Sequence, residues 1–281
     1  MDTIAVTGGS GRLGRGVVQQ LALQGHRVRN LDRVAVDDQP VGDIETMLID
    51  VMDYDAVRRA LEGCSAVVHL AANTRPVDAP WQVIYANNTV SSYNVLYAAA
   101  GLGIKKVCMA SSINATGAAY SAAPRFDYFP LDELHPTYNE DPYSLSKWVL
   151  ELQGESIARR FAGMTIASLR FHAIYDNLAD FMDWARNAEP ARVAKNLWGR
   201  VSHDASVNAC LLALQASFIG HEAFYIVAPT TSIETPSSEL IRQFYPTVPL
   251  RGDFTGNRGF FDTTKAERML GWVHIEQGAG R

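Results

Sequence analysis

Along the first hundred residues, short β-branched runs alternate with amphipathic stretches, the pattern of βαβ units that close on a parallel sheet. Residues 3–8 (TIAVTG) read as a strand. Arg12–Gln24 then carries Leu13, Val17, Val18, Leu21 and Leu23 at near-helical spacing and stops at Gly25, a residue suited to a helix end. Further strands are expected at 27–32 (RVRNLD), 47–51 (MLIDV), 65–71 (SAVVHLA), 105–111 (KKVCMAS), 165–171 (TIASLRF) and 223–228 (AFYIVA). Helices are expected at 54–62, 82–100 and 143–161. Residues 117–142, rich in Pro, Tyr and Asp and without a period, read as a long loop. The later prolines and tryptophans gather in 174–202 and 230–281, which predicts a small lobe built from two separated pieces. Residues 1–173 and 203–229 then form the larger domain.

The first predicted strand runs directly into Thr7-Gly8-Gly9-Ser10-Gly11-Arg12-Leu13-Gly14, which opens the first helix. Glycine is needed where a backbone turns tightly and lies close to a pyrophosphate, and the helix N-terminus offers free N–H groups and the positive end of its dipole. Gly8, Gly11, Arg12, Leu13 and Gly14 are therefore candidate dinucleotide contacts. Asp32 ends the second strand, 18 residues past Gly14, where a carboxylate can accept both ribose hydroxyls of an adenosine. That charge repels a 2′-phosphate, so NAD is favoured over NADP. Arg33 beside it keeps NADP open, since a guanidinium can pair with that phosphate.

Composition adds exclusions. The 281 residues are 47% hydrophobic and 20% charged, with a formal net charge of −5. That describes a globular protein with ample core and no basic surplus for nucleic acid. Cys64, Cys108 and Cys210 are far apart with no metal-ligand spacing, so no metal is expected and the thiols read as buried and reduced. No run of 18 apolar residues points to a membrane, and no basic, apolar leader precedes the first strand, so a cytoplasmic location is expected.

Chemistry enters with Tyr143-Ser144-Leu145-Ser146-Lys147. On a helix, spacing of four stacks the phenol and the ammonium on one face. A nearby ammonium favours the phenolate and lowers the phenol's pKa, which suits tyrosine to general-base work near neutral pH.

Taken together, TGGSGRLG (7–14), IDVMD (49–53), VVHLAAN (67–73), NNTVSSYNVLYAA (87–99), MASSINATG (109–117), YSLSK (143–147), SLRF (168–171), SHDASVNA (202–209) and LGW (270–272) resemble the extended short-chain dehydrogenase/reductases, the NAD-dependent epimerase/dehydratase family. The resemblance covers nearly the whole chain. It implies an α/β protein with a Rossmann-type doubly wound parallel sheet and a small C-terminal substrate-binding lobe. It also implies Tyr143 as acid/base, Lys147 as the group that lowers the phenol's pKa and holds the nicotinamide ribose, and Ser112 as donor to the substrate oxygen, with Ser111 its rival. Asn88 would help hold a water and backbone beside the lysine. Asp50 and Val51 would lie against the adenine, Leu70, Ala71 and Ala72 against the ribose, and Phe171 to Ile174 near the carboxamide.

Within the family, Ser112 is followed by Ile113-Asn114-Ala115 rather than the Asp-Glu pair of the sugar-nucleotide dehydratases, so dehydration is not expected. The small lobe favours a compact carbohydrate. The serine segment is similar to that of the small uronate dehydrogenases, which brings in Asn73, Thr74, Arg75, Ser111, Ser112 and Asn114 as substrate contacts. For a sugar acid, Arg75, Arg186, Arg192 and Arg200 are candidate cations. A nucleotide-sugar epimerase that keeps its NAD and a non-catalytic dinucleotide-binding regulatory protein stay open as alternatives. His203-Asp204 reads as a hinge contact. The long helices at 82–100 and 143–161 imply a homodimer through a four-helix bundle, with Trp148, Phe161 and Met164 as interface candidates.

Overall fold

The computed structural model describes residues 2–35, 42–77 and 79–276. Seven strands form one parallel sheet: β1 (Thr3–Thr7), β2 (Arg27–Asp32), β3 (Ile44–Leu48), β4 (Ala66–His69), β5 (Lys106–Ser112), β6 (Thr165–Phe171) and, skipping the two-residue strands β7 (Ile174–Tyr175) and β8 (Val201–Ser202), β9 (Gly220–Ile226). Their order is β3-β2-β1-β4-β5-β6-β9, while β7 and β8 pair separately. The order reverses between β1 and β4, so the carboxyl ends of β1, β2 and β4 open a crevice at that switch point, where ligands of doubly wound sheets bind.

The two faces of the sheet are covered by different helices. On one side α1 (Arg12–Leu23) supplies Val17, Val18 and Leu21 to a core shared with Ala209 and Cys210 and with Trp272. On the other side, α2 (Tyr54–Leu61), α3 (Trp81–Gly101) and α4 (Pro142–Arg160) bury Val57, Val95, Leu96, Leu150 and Ile157. The shorter helices α5 (Leu178–Asn187) and α6 (Pro190–Lys195) follow β7. The chain then passes through β8 into α7 (His203–Gln215), and α8 (Ser237–Phe244) and α9 (Thr264–Leu270) lie beyond β9.

Several elements differ from the sequence expectation. The third strand lies at 44–48, not 47–51, because its length is set by one-for-one pairing with β2, from Val28 with Ile44 to Asp32 with Leu48. Ile49 and Val51 continue past the end of that ladder. Likewise β9 starts at Gly220 opposite Thr165, so the polar Gly220, His221 and Glu222 belong to a strand whose sequence signal begins only at Ala223. The stretch 203–215, to which the pattern assigns no element, forms α7. It is capped by Ser202, whose Oγ accepts from the Ala205 N–H at 3.1 Å, and it is apolar on too many sides to show a stripe. Met164 is a core residue, 1% exposed, and cannot serve as an interface position.

A third apolar cluster, which β9 joins through Tyr225, brings Phe126, Phe129 and Leu131 together with Val193, Leu197 and Trp198 and with Phe254 and Phe260. The irregular segment 117–142 thus contributes core side chains beside the two later pieces. Residues around α9 go the other way: Ala266, Leu270 and Trp272 pack in the core of the sheet, with the Trp272 indole N–H donating to the Ala205 carbonyl at 2.9 Å.

Candidate active site

Above the carboxyl ends of the strands runs a cavity of about 900 Å³. Its floor is the glycine turn. Gly8 has φ +70°, and a Cβ there would lie 2.7 Å from the Ala71 nitrogen. At Gly14 a Cβ would come within 2.1 Å of the Gly8 carbonyl oxygen. Both contacts are with backbone, so only glycine lets β1, α1 and the end of β4 approach this closely. Gly11 caps α1 with no side-chain acceptor for its first N–H groups, which leaves them and the helix dipole to an anion in the cleft. These features fit a dinucleotide pyrophosphate.

Asp32 stands at the edge of the same cavity. Its carboxylate accepts from the backbone N–H groups of Ser10 at 3.0 Å, Arg33 at 2.7 Å and Val34 at 3.3 Å, which fix its orientation. Arg12, Leu13, Arg33, Val51, Leu70, Ala71, Ala72, Phe171 and Ile174 also line the cavity. Asp50 does not. Its Oδ1 is exposed and accepts from the Met52 N–H at 2.9 Å, closing a local turn, while its neighbour Ile49 faces the cleft.

At the other end, α4 lies across the tip of β5. The Ser112 hydroxyl is within hydrogen-bonding reach of the Tyr143 phenol and accepts from the Asn114 N–H at 3.2 Å. Lys147 donates to the Ala110 carbonyl at 2.7 Å, with its Nζ 5.7 Å from the centre of the Tyr143 ring. The two serines separate clearly. Ser111 donates to Glu151 at 2.6 Å and is committed to the protein, whereas Ser112 faces the phenol.

Burial governs the charges here. It lowers Lys147 to about 8, opposed by the Glu151 carboxylate. It raises the Tyr143 phenol above its ordinary value, with the Ser112 hydrogen bond pulling the other way. The lowering expected from Lys147 is therefore not what the geometry produces: desolvation of a phenol that is 8% exposed dominates, and the group that opposes it is Ser112. Burial also holds His69 near 3, with the Lys147 charge adding to the effect, so His69 is neutral.

Asn88 and Asn73 form a clamp outside the cavity lining. The Asn88 amide accepts from the Asn73 N–H at 2.8 Å, donates to the Asn73 carbonyl at 2.9 Å and donates to Ser146 Oγ at 3.0 Å. Asn88 thus ties the end of β4 to α4 one residue before Lys147, and Asn73 is its backbone partner rather than a wall of the site. Thr74, Arg75, Ser111, Ser112 and Asn114 do line the cavity.

Of the four candidate arginines, Arg75 and Arg192 face the cavity. Arg186 is exposed and pairs with Asp183 at 3.6 Å and Glu234 at 3.8 Å. Arg200 is buried against Glu276 at 2.5 Å and donates to the Tyr175 hydroxyl at 3.0 Å. His203 Nε2 donates to the Arg12 carbonyl at 3.1 Å, as a contact between α7 and α1.

Of the other cavity residues, His172 falls within the stretch Phe171 to Ile174 expected near the carboxamide, and Tyr120 and Asn196 carry no sequence signal. Tyr120, from the irregular segment, sets its ring edge-on to Tyr143 at 5.7 Å. His172 bonds the Asn196 carbonyl through Nε2 at 2.8 Å and accepts the Ala173 N–H at Nδ1; burial lowers its pKa to about 4, so it is a neutral wall. Asn196 precedes Leu197 and Trp198, which adopt φ of 57° and 51°, a left-handed pair without glycine that no turn rule anticipates.

Comparison with known proteins follows the same line. The family described as "NAD dependent epimerase/dehydratase family" matches residues 4–213. An NAD-dependent glucose-6-phosphate dehydrogenase of Haloferax volcanii is 32% identical over 165 residues, covering 56% of this chain and 62% of that protein. An L-arabinose 1-dehydrogenase (NAD(P)(+)) of the same organism is 30% identical over 206 residues, covering 70% and 77%. Among solved structures, a UDP-glucose 4-epimerase of Thermotoga maritima with UDP-glucose superposes with a TM-score of 0.73 at 22% identity over 97% and 93% of the two chains. A uronate dehydrogenase of Agrobacterium tumefaciens does so with 0.71 at 21% over 98% and 85%. At these identities the structures establish the fold.

Proposed function

Because this chain belongs to the NAD-dependent epimerase/dehydratase family, we propose that it is an NAD-dependent dehydrogenase of a sugar or sugar acid, oxidising a secondary alcohol or hemiacetal carbon with Tyr143 as acid/base. The observation that carries this reading is the meeting of Ser112, Tyr143 and Lys147 at one end of a cleft whose other end holds the glycine turn and Asp32. Bound NAD⁺ supplies the hydride acceptor and a further positive charge. Ser112 donates to the substrate oxygen, and Tyr143 takes the hydroxyl proton. Lys147 stabilises the phenolate with a charge fixed by the Ala110 carbonyl. Asp32, with both carboxylate oxygens anchored by backbone N–H groups, accepts ribose hydroxyls and repels a 2′-phosphate, which favours NAD.

The substrate end of the cavity contains Arg75 and Arg192 and no carboxylate among its described lining residues. This supports a substrate with an anionic group, and Arg192→Ala should raise KM for an acidic or phosphorylated sugar while sparing a neutral one. We assign substrate binding to the smaller lobe, whose segment 174–202 contributes Trp184, Arg192 and Asn196 to the cavity, while the stretch around α9 belongs with the core of the sheet. We also propose a homodimer through the outer face of α3 and α4, where Val90, Tyr93, Tyr97, Leu145 and Leu152 are each at least 39% exposed. Light scattering should give twice the chain mass; a monomer would remove that assignment.

The test is a screen with NAD against aldoses, sugar acids, sugar phosphates and nucleotide sugars, followed by NADH absorbance. Accumulating NADH is expected. Interconversion of sugar epimers with no net NADH would assign an epimerase instead, and no turnover at all would assign a binding protein.

A further inference from the structure

Three consecutive residues at the tip of β5 each hold one residue of a single face of α4. Ser112 faces Tyr143, the Ala110 carbonyl receives Lys147, and Ser111 donates to Glu151 at 2.6 Å. Tyr143, Lys147 and Glu151 are spaced four apart, so they share that face. The third contact has no part in the chemistry derived above, yet it is the most elaborate of the three.

Glu151 is 3% exposed, as deeply buried as any acid in the chain can be expected to be. Arg170 on β6 grips it with two bonds, Nε to Oε1 at 2.9 Å and Nη2 to Oε2 at 2.8 Å, and Arg170 is itself 1% exposed. Ser111 and Arg170 are register partners across β5 and β6, so both point at α4 from adjacent strands. The guanidinium lies 5.1 Å from the centre of the Tyr225 ring. Burial opposes the Arg170 charge, but Glu151 and Tyr225 outweigh it and its pKa is raised, so the guanidinium is charged where it meets Glu151. Such a pair is a costly way to fill a core. Its placement one turn beyond Lys147 gives it a use.

We propose that Glu151, clamped by Ser111 and Arg170, is a positioning residue that seats the Tyr143–Lys147 face of α4 on the tip of β5 and holds a negative charge one turn beyond Lys147 on that face. The proposal rests on the assignment of Tyr143 and Lys147 made above. The other titratable groups packed around this pair are His69 from β4, His221 and Tyr225 from β9, and Glu133 from the irregular segment, which accepts from the Tyr225 N–H at 2.8 Å. His69 is neutral, and burial lowers His221, so neither offers Lys147 a competing charge at neutral pH. Glu133 bears on Arg170 rather than on Lys147. Glu151 is the carboxylate that opposes the loss of the Lys147 proton.

The test uses the full chain and NAD alone as probe, with Kd measured from pH 6.5 to 9.5. In the unaltered protein NAD affinity should weaken as pH rises past about 8, where Lys147 loses its proton. Glu151→Gln should bring that weakening to lower pH, so that at pH 8 the Kd is roughly three- to tenfold higher than in the unaltered protein while the two agree near pH 6.5. Removing one partner of a buried pair can prevent folding, so the double variant Glu151→Gln/Arg170→Gln, which leaves two neutral amides, is measured beside it and should show the same displacement. A purely structural role would lower Tm and leave the pH profile where it is, and that result would overturn the proposal. Lys147→Met separates the two layers of argument. It should flatten the pH dependence altogether, and if it does not, the assignment of Lys147 to the cofactor fails before that of Glu151 is reached.

Discussion

Replacing Gly14 by alanine probes the cofactor turn with a single methyl group. That methyl would lie 2.1 Å from the Gly8 carbonyl oxygen, 2.6 Å from the Gly9 Cα and 2.9 Å from the Gly8 carbonyl carbon, all of them backbone atoms of the turn itself. No rotamer change relieves such an overlap. Either α1 withdraws from the turn by about an ångström or the turn opens, and overpacking of this kind costs about 1–3 kcal/mol. Because either movement carries with it the N–H groups assigned to the pyrophosphate, the cost falls on binding, and the Kd for NAD should rise roughly 5- to 150-fold. Gly25→Ala is the matched control. Gly25 needs a left-handed backbone, at φ +85°, which Gly14 does not, but a Cβ there meets nothing within 4 Å and the residue lies at the far end of α1. It should lose about 1–2 kcal/mol of stability and keep its NAD affinity. Isothermal titration with NAD and thermal unfolding on both variants decide the matter. If Gly14→Ala binds NAD as tightly as the unaltered protein, the cleft over the glycine turn is not where the pyrophosphate lies.

Other consequences are open to direct measurement. Asp32→Ala should weaken NAD more than NADP, and equal losses for both in parallel titrations would detach Asp32 from the ribose hydroxyls. The Lys147 ammonium, held near 8 by burial, should give catalysis an alkaline limb, with turnover falling as pH rises past that value. In the cofactor-free protein the folded state gives up this proton before the unfolded chain does. The group therefore opposes folding at neutral pH and ceases to do so as pH climbs from about 8 towards the ordinary lysine range. Unfolding experiments across that range should show a gain that Lys147→Met lacks. For Ser112→Ala a loss of kcat well beyond that of Ser111→Ala is expected, since only Ser112 faces the phenol.

Legibility in the sequence followed the range of the interactions. Tyr143 and Lys147 were readable because one helix carries both, and the glycine turn because its strand, loop and helix are contiguous. The choice between Ser111 and Ser112 required knowing which face of β5 meets α4, a fact set by Arg170 and Glu151, 59 and 40 residues from Ser111 in the chain. Asp50 and Ile49 exchanged places because β3 ends where its pairing with β2 ends, three residues before the apolar run does. Arg192 and Arg200 look alike as letters; one opens on the cavity, and the other is buried by Glu276 near the end of the chain. Tyr120 and Asn196 come from segments whose course depends on a third apolar cluster, including the left-handed Leu197–Trp198 pair, and no local pattern encodes that course.

We propose that Tyr143 moves the proton while the rest of the cleft holds NAD. Tyr143→Phe removes one oxygen from a side chain 8% exposed and leaves the ring that Tyr120 packs against. Measured side by side on the substrate found in the screen, NAD affinity should stay within about twofold while kcat falls by roughly 10²–10⁴. A variant that turns over at the normal rate, with NAD bound as before, would show that Tyr143 is not the proton acceptor.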